Sequence, residues 1–200
     1  MRTVHCNCGN EIEADIPETY DVEKNPGLLE GIVRGDFLTL RCDQCGTLLK
    51  LELPVRITSS SHDMDLYYLP DSKREQFLGD TEDFPEAKRI VFGYPELVEK
   101  ALTALHGLDD RVIEILKYFY LRKNPNAENI TIYLDEVQET SLLFRIHGLK
   151  KDEVGIAKID RAFYNKIGEE LDAIVEKEDL TEVIEPPYVS IKKVVVEVEE

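Results

Sequence analysis

Ile12, Ala14 and Ile16 alternate with Glu11, Glu13 and Asp15, a period of two that predicts extended chain flanking a turn within residues 1–16. The period then lengthens. Leu28, Leu29, Ile32 and Val33 recur at helical spacing, with Asn25 placed to cap, Pro26 to open and Gly35 to end a short helix. Phe37 to Arg41 alternates again into Cys42, and Thr47 to Val55 leaves Gly46 as a matching strand. Ile57 to Pro70 is predicted as loop followed by a short apolar strand, Leu66–Leu69. Asp71–Leu78 is predicted as a short helix stopped by Gly79.

The stretch GDTEDFPEA, residues 79–87, has the composition of a linker between two halves. Beyond it, Tyr94-Pro95-Glu96 opens a helix carrying Leu97, Val98, Ala101, Leu102 and Leu105, which Gly107 closes. Asp109 or Asp110 caps a second helix, with Val112, Ile113, Leu116, Phe119 and Tyr120 on one face and Asn124-Pro125 at its end. Together they predict a helical hairpin over about 95–123, packed on sheet. Strands follow over about 130–159 (Ile130–Leu134, Leu142–Ile146, Val154–Ile159), then a helix over about 161–178 bearing Phe163, Ile167, Leu171, Ile174 and Val175. A terminal strand is predicted over about 189–198. The fold class is α+β, with antiparallel strands.

Composition narrows the function classes. Two hundred residues at 42% apolar content can bury a core, with nine Tyr and seven Phe for bulk. No run approaches the roughly 18 apolar residues of a membrane span, and MRTVHC is not a signal peptide, so a cytoplasmic protein is expected. Forty-one acidic against twenty-four basic residues give a net charge of −17, spread along the chain. Such a field repels a polyanion, which disfavours nucleic acid, and it keeps a protein in solution.

All four cysteines lie in the first 45 residues, as Cys6-Asn7-Cys8-Gly9 and Cys42-Asp43-Gln44-Cys45-Gly46. In a reducing compartment, such pairs point to a metal rather than to disulfides. Zinc takes four ligands in a tetrahedron at about 2.3 Å, which sets sulfurs roughly 3.8 Å apart, and a tight turn presents two thiolates at that separation. The second pair has the usual spacing; the first is one residue short. His5 and Cys8 reproduce the longer spacing, so His5 competes with Cys6 for the fourth position, although Cys6 would then be a stranded thiol. A rubredoxin-type iron site has similar spacing. Redox use of Cys42 would need a helix N-terminus, and the pair lies instead between strands. Four protein ligands leave no position for substrate, so the expected role of the metal is structural.

The combination of motifs resembles the CpXC domain, a bacterial and archaeal family named for its paired cysteines. The matching features are the first knuckle with Gly9, Tyr20-Asp21-Val22, Asn25-Pro26, Gly35 and the Cys42–Gly46 knuckle. Pro54, His62-Asp63, Tyr67–Pro70 and Arg74–Gly79 continue the likeness, which runs through Glu99-Lys100 and Gly107–Lys117 and covers roughly residues 1–120. Asn7 and Asp43 stand where the family usually has proline, and the first knuckle is Cys-x-Cys. The resemblance implies a zinc-ribbon-like domain over 1–80, followed by an α+β region over 81–200 that either stands apart or packs with the first as one unit. It implies no activity.

Two other constellations remain. His62-Asp63-Met64-Asp65 brings a histidine near carboxylates, against a reading as a solvated turn. Asp109-Asp110 pairs carboxylates, against a reading as a helix cap. An enzyme would use His62 and Asp63, or Asp109 and Asp110, in a cleft between the halves. A zinc-ribbon protein bound to nucleic acid is the other alternative. The leading expectation is a zinc-stabilised, non-catalytic interaction protein, whose acidic surface meets a basic protein partner or which self-associates through a strand edge.

Overall fold

The alternation at the start of the chain becomes a hairpin. β1 (Arg2–His5) pairs antiparallel with β2 (Glu11–Ala14), with Val4 opposite Ile12. The structure is a computed structural model that describes residues 2–125 and 127–194. The chain divides into two compact units, Met1–Leu97 and Val98–Glu200. Among the described residues no helix is long and apolar enough to cross a membrane.

In the first unit β3 (Thr19–Asp21) leads to α1 (Leu28–Arg34), which buries Leu29 and Ile32 and is capped by Gly35 at φ 86°. The helix starts later than Pro26. Asn25 does not cap it, because its side-chain amide donates to the Asp21 carbonyl at 2.7 Å and Gly27 occupies the cap position. β4 (Thr39–Arg41) and β5 (Leu48–Lys50) form the second hairpin, with Leu40 opposite Leu49.

The strand predicted over Thr47–Val55 stops at Lys50. Leu51 still donates to the Leu38 carbonyl at 2.8 Å, but Pro54 has no N–H to offer a ladder. Val55 instead opens β6 (Val55–Ser59), which lies where a loop was predicted and buries alternate residues Val55, Ile57 and Ser59. β7 (Met64–Leu69) pairs antiparallel with β6, while β3 pairs parallel with β6 and β8 (Arg89–Phe92) parallel with β7. The four-stranded sheet, ordered β3-β6-β7-β8, is therefore mixed rather than antiparallel. Parallel neighbours need long crossovers, and both are present. The first carries α1 and the second hairpin. The other carries a 3₁₀ turn (Asp71–Lys73), α2 (Arg74–Leu78) and residues 79–87. This last stretch lies inside the first unit, anchored by Phe84, whose ring meets Phe77 edge-on at 5.2 Å. The unit ends within α3 (Tyr94–Leu105).

The second unit takes up α3 and adds α4 (Asp110–Leu121), with Asp109 as N-cap accepting from the Arg111 N–H. After a 3₁₀ turn (Ala127–Asn129), β9 (Thr131–Val137), β10 (Ser141–His147) and β11 (Gly155–Asp160) form an antiparallel meander. The helix predicted over 161–178 is two: α5 (Arg161–Glu169) and α6 (Leu171–Glu178), broken at Glu170 with φ −104° and ψ 11°. α7 (Thr181–Ile184) follows. Residues 191–193 of the expected terminal strand are a 3₁₀ turn, with the Ser190 hydroxyl accepting from the Lys192 N–H at 3.2 Å. Residues 195–198 of that strand lie outside the described residues.

The core of this unit contains charge. Glu99, Glu114 and Lys117 are 2%, 2% and 3% exposed. Lys117 donates to Glu99 and, at 2.7 Å, to Glu114. The remaining oxygens accept backbone N–H groups, Glu99 that of Leu134 at 2.6 Å and Glu114 that of Ile191 at 2.8 Å. Lys100 adds a bond to Asp110 at 2.7 Å. Burial alone would pull the Lys117 ammonium down, but Glu114 and Glu99 outweigh it and hold it charged. Burial pushes Glu99 up to about 7 against the pull of Lys117 and Lys100, with Glu114 adding to the rise. The folded state thus keeps a proton that the unfolded chain releases. Stability from this group is complete below the unfolded value of 4.5 and is lost as pH rises through about 7. The loss should be on the order of 3 kcal/mol. Urea midpoints of the wild type should fall across that window, and Glu99→Gln should flatten the fall. An equal slope in both proteins would contradict it.

Candidate metal centre

Each cysteine pair sits at the tip of a hairpin. β1 and β2 are closed by Cys6 N–H to the Asn10 carbonyl at 2.8 Å, and β4 and β5 by Cys42 N–H to the Thr47 carbonyl at 2.8 Å. The first loop is one residue shorter, which accounts for its Cys-x-Cys spacing. In both, the glycine after the second cysteine reverses the backbone. Gly9 (φ 89°) donates to the Cys6 carbonyl and Gly46 (φ 75°) to the Cys42 carbonyl. A Cβ at either would meet nothing within 4 Å, so it is the left-handed conformation that asks for glycine.

The two tips face each other. Cys6 Sγ lies 3.5 Å from Cys45 Sγ and Cys8 Sγ 3.7 Å from Cys42 Sγ. All four sulfurs fall within 4.8 Å of one another. These separations suit one ion bound at about 2.3 Å per thiolate. His5 is not in the cluster; its Nδ1 lies 3.6 Å from Glu11 Oε1, across the hairpin.

Backbone donors surround the sulfurs. The N–H groups of Cys45 and Gln44 favour the Cys42 thiolate and lower that thiol. The Thr47 hydroxyl and N–H bring Cys45 down to about 6. The Cys8 N–H favours the Cys6 thiolate, but burial and the three other thiols push Cys6 up to about 12. Cys8 is raised too, the Asn10 N–H and Cys6 being outweighed by burial, Cys45 and Cys42. Four thiols so close cannot all shed their protons unaided, and a bound cation would supply the missing compensation. Asn10 links the tips, its amide donating to Asp43 at 2.7 Å and to Cys42 Sγ at 3.6 Å. Asn10 and Thr47 each sit two residues beyond a cysteine, the one signal by which sequence could have found them.

A family model described as CpXC protein matches residues 4–117, more than half of the chain and both knuckles. The chain belongs to the CpXC family. A protein of Treponema pallidum (strain Nichols), named only "Uncharacterized protein", is 20% identical to this CpXC chain over 192 residues, covering 85% of it and 88% of the relative. No solved structure gives a significant match.

The other candidate residues of the CpXC chain are engaged elsewhere. His62 and Asp63 lie in the turn between β6 and β7. His62 Nδ1 is 3.0 Å from the hydroxyls of Ser59 and Ser61, and Asp63 pairs with Lys88 at 2.5 Å. Glu23 completes this turn by accepting from the Ser61 N–H and both serine hydroxyls, which hold its carboxyl far below the usual range. No sequence signal joins Glu23 to a turn 36 residues away. Asp109 caps α4 and binds Arg111, while Asp110 pairs with Lys100.

Proposed function

We propose that Cys6, Cys8, Cys42 and Cys45 hold a structural zinc ion, and that the chain is a non-catalytic binding protein. The observation that carries this reading is the convergence of four thiols from two facing hairpins. Four protein ligands fill a tetrahedron and leave no position for a substrate. Zinc, which has no redox chemistry and takes closed thiolate tetrahedra in structural sites, is the ion this reading assigns. The net charge of −17 supports a basic protein partner, and β11, hydrogen-bonded only to β10 among the described residues, supports self-association through a strand edge. The same charge supports a soluble, cytoplasmic protein.

Elemental analysis of the purified protein tests the reading. One equivalent of zinc is expected, lost in Cys6→Ser and kept in His5→Ala. Zinc below about half an equivalent, or loss in His5→Ala with retention in Cys6→Ser, overturns the site or its ligand set.

A further inference from the structure

The second unit carries a groove of about 580 Å³ between the C-terminal half of α4 and the helices α5 and α6. Its lining includes Leu116, Phe119, Phe163, Ile167 and Ile174. Phe163 belongs to the apolar stripe predicted for the helix over about 161–178, yet it is 46% exposed. The break at Glu170 divides that stripe between two helices, and Phe163 is left with an uncovered face.

The rim reverses the charge of the protein. Arg122, Lys123, Lys166 and Lys177 line the groove against two carboxylates, Glu170 and Glu178. Glu178 is already engaged by Arg122 at 2.5 Å and Lys177 at 3.5 Å. Lys123 and Lys166 make no ion pair among the described residues. In a chain of net charge −17 this is a local cationic rim around an apolar floor. At physiological salt the Debye length is about 8 Å, so a ligand seated here is governed by the rim rather than by the distant acidic surface.

We infer that this groove docks an amphipathic helix of a partner protein, apolar on one face and bearing carboxylates along its flank. Three helices walling an apolar trough is the arrangement that helix-in-groove recognition uses, and Lys123 and Lys166 are placed to meet the carboxylates. The trough is more open than enclosed, which fits a helix face better than a small amphiphile needing enclosure on most of its surface. The inference rests on the reading of the chain as a binding protein. It involves the second unit alone, so it can fail while the zinc site stands.

The test is fluorescence polarisation of a labelled, helix-forming Leu/Glu/Ala peptide on the full-length protein, with zinc content measured on the same samples. Saturable binding is expected, weakened about tenfold by Lys123→Glu combined with Lys166→Glu and also by Phe163→Ser, with unchanged far-UV circular dichroism and zinc. Absent binding, or binding indifferent to both variants, overturns the proposal. So does binding seen only after removal of residues 195–200, VVEVEE, which would make the chain's own end the occupant. Saturable binding of decanoate without binding of the peptide would assign the groove to a small amphiphile and also overturns it.

Discussion

Lys117→Met should destabilise the protein by about 4 kcal/mol, the largest loss expected from any single side chain. The change removes little volume, so packing is not the cause. It leaves two carboxylates, Glu99 and Glu114, buried side by side without their shared cation. No buried side-chain polar atom among the described residues lacks a hydrogen-bond partner, so there is no spare donor to step in. The damage should be smaller in acid, where Glu99 keeps its proton. Adding Glu99→Gln and Glu114→Gln should recover most of it, because neutral amides remove the unpaired charge. Urea unfolding followed by circular dichroism reads all three; a loss under about 1 kcal/mol in Lys117→Met would show that the network is not held by this ion. Hydrogen exchange localises the effect, since the Leu134 and Ile191 amides are bonded to the two glutamates.

Stripping the metal from the cysteine cluster should lower the melting midpoint of the first unit by on the order of 10 °C. The two hairpins are short, three or four residues per strand, and isolated two-stranded pieces of that size are marginal in water. A bound metal would join them across more than thirty residues of chain and neutralise four thiolates that otherwise repel. Cys42→Ser should match the effect of a chelator, as Cys42 is the most buried of the four at 1% exposure. Amide protection in β9 and β10 should be unchanged in both. A midpoint indifferent to chelator would mean that the hairpins stand without an ion.

Much of this was legible where the signal is local. The Gly35 stop of α1, the Asp109 cap of α4, the helical stripe of α3 and the three strands of the second unit are each announced within a dozen residues. The cysteine cluster was legible for the same reason, since each pair declares its own turn. What escaped is non-local. β3 is three residues long and exists because β6 lies beside it, each residue paired with one 37 positions on. Residues Val55–Ser59 alternate well, but they follow the earlier strand so closely that Pro54 was the only mark of separation. The break at Glu170 has no proline to announce it, and Gly168, two residues before it, is a signal that a helix interior also tolerates. Glu99, Glu114 and Lys117 look in sequence like a solvated helix face, and only the fold shows that the face is turned inward.

The four sulfurs also divide by depth. Cys6 and Cys42 are buried, Cys8 and Cys45 exposed, and each hairpin supplies one of each. With a metal in place, an incoming chelator or oxidant reaches the outer pair first and meets one ligand from either hairpin. Release would then pass through a half-open state in which the inner pair still bridges both hairpins. The residence time of such an ion would be set by how rarely that inner pair becomes accessible, and so by local opening of the hairpins rather than by ligand affinity alone.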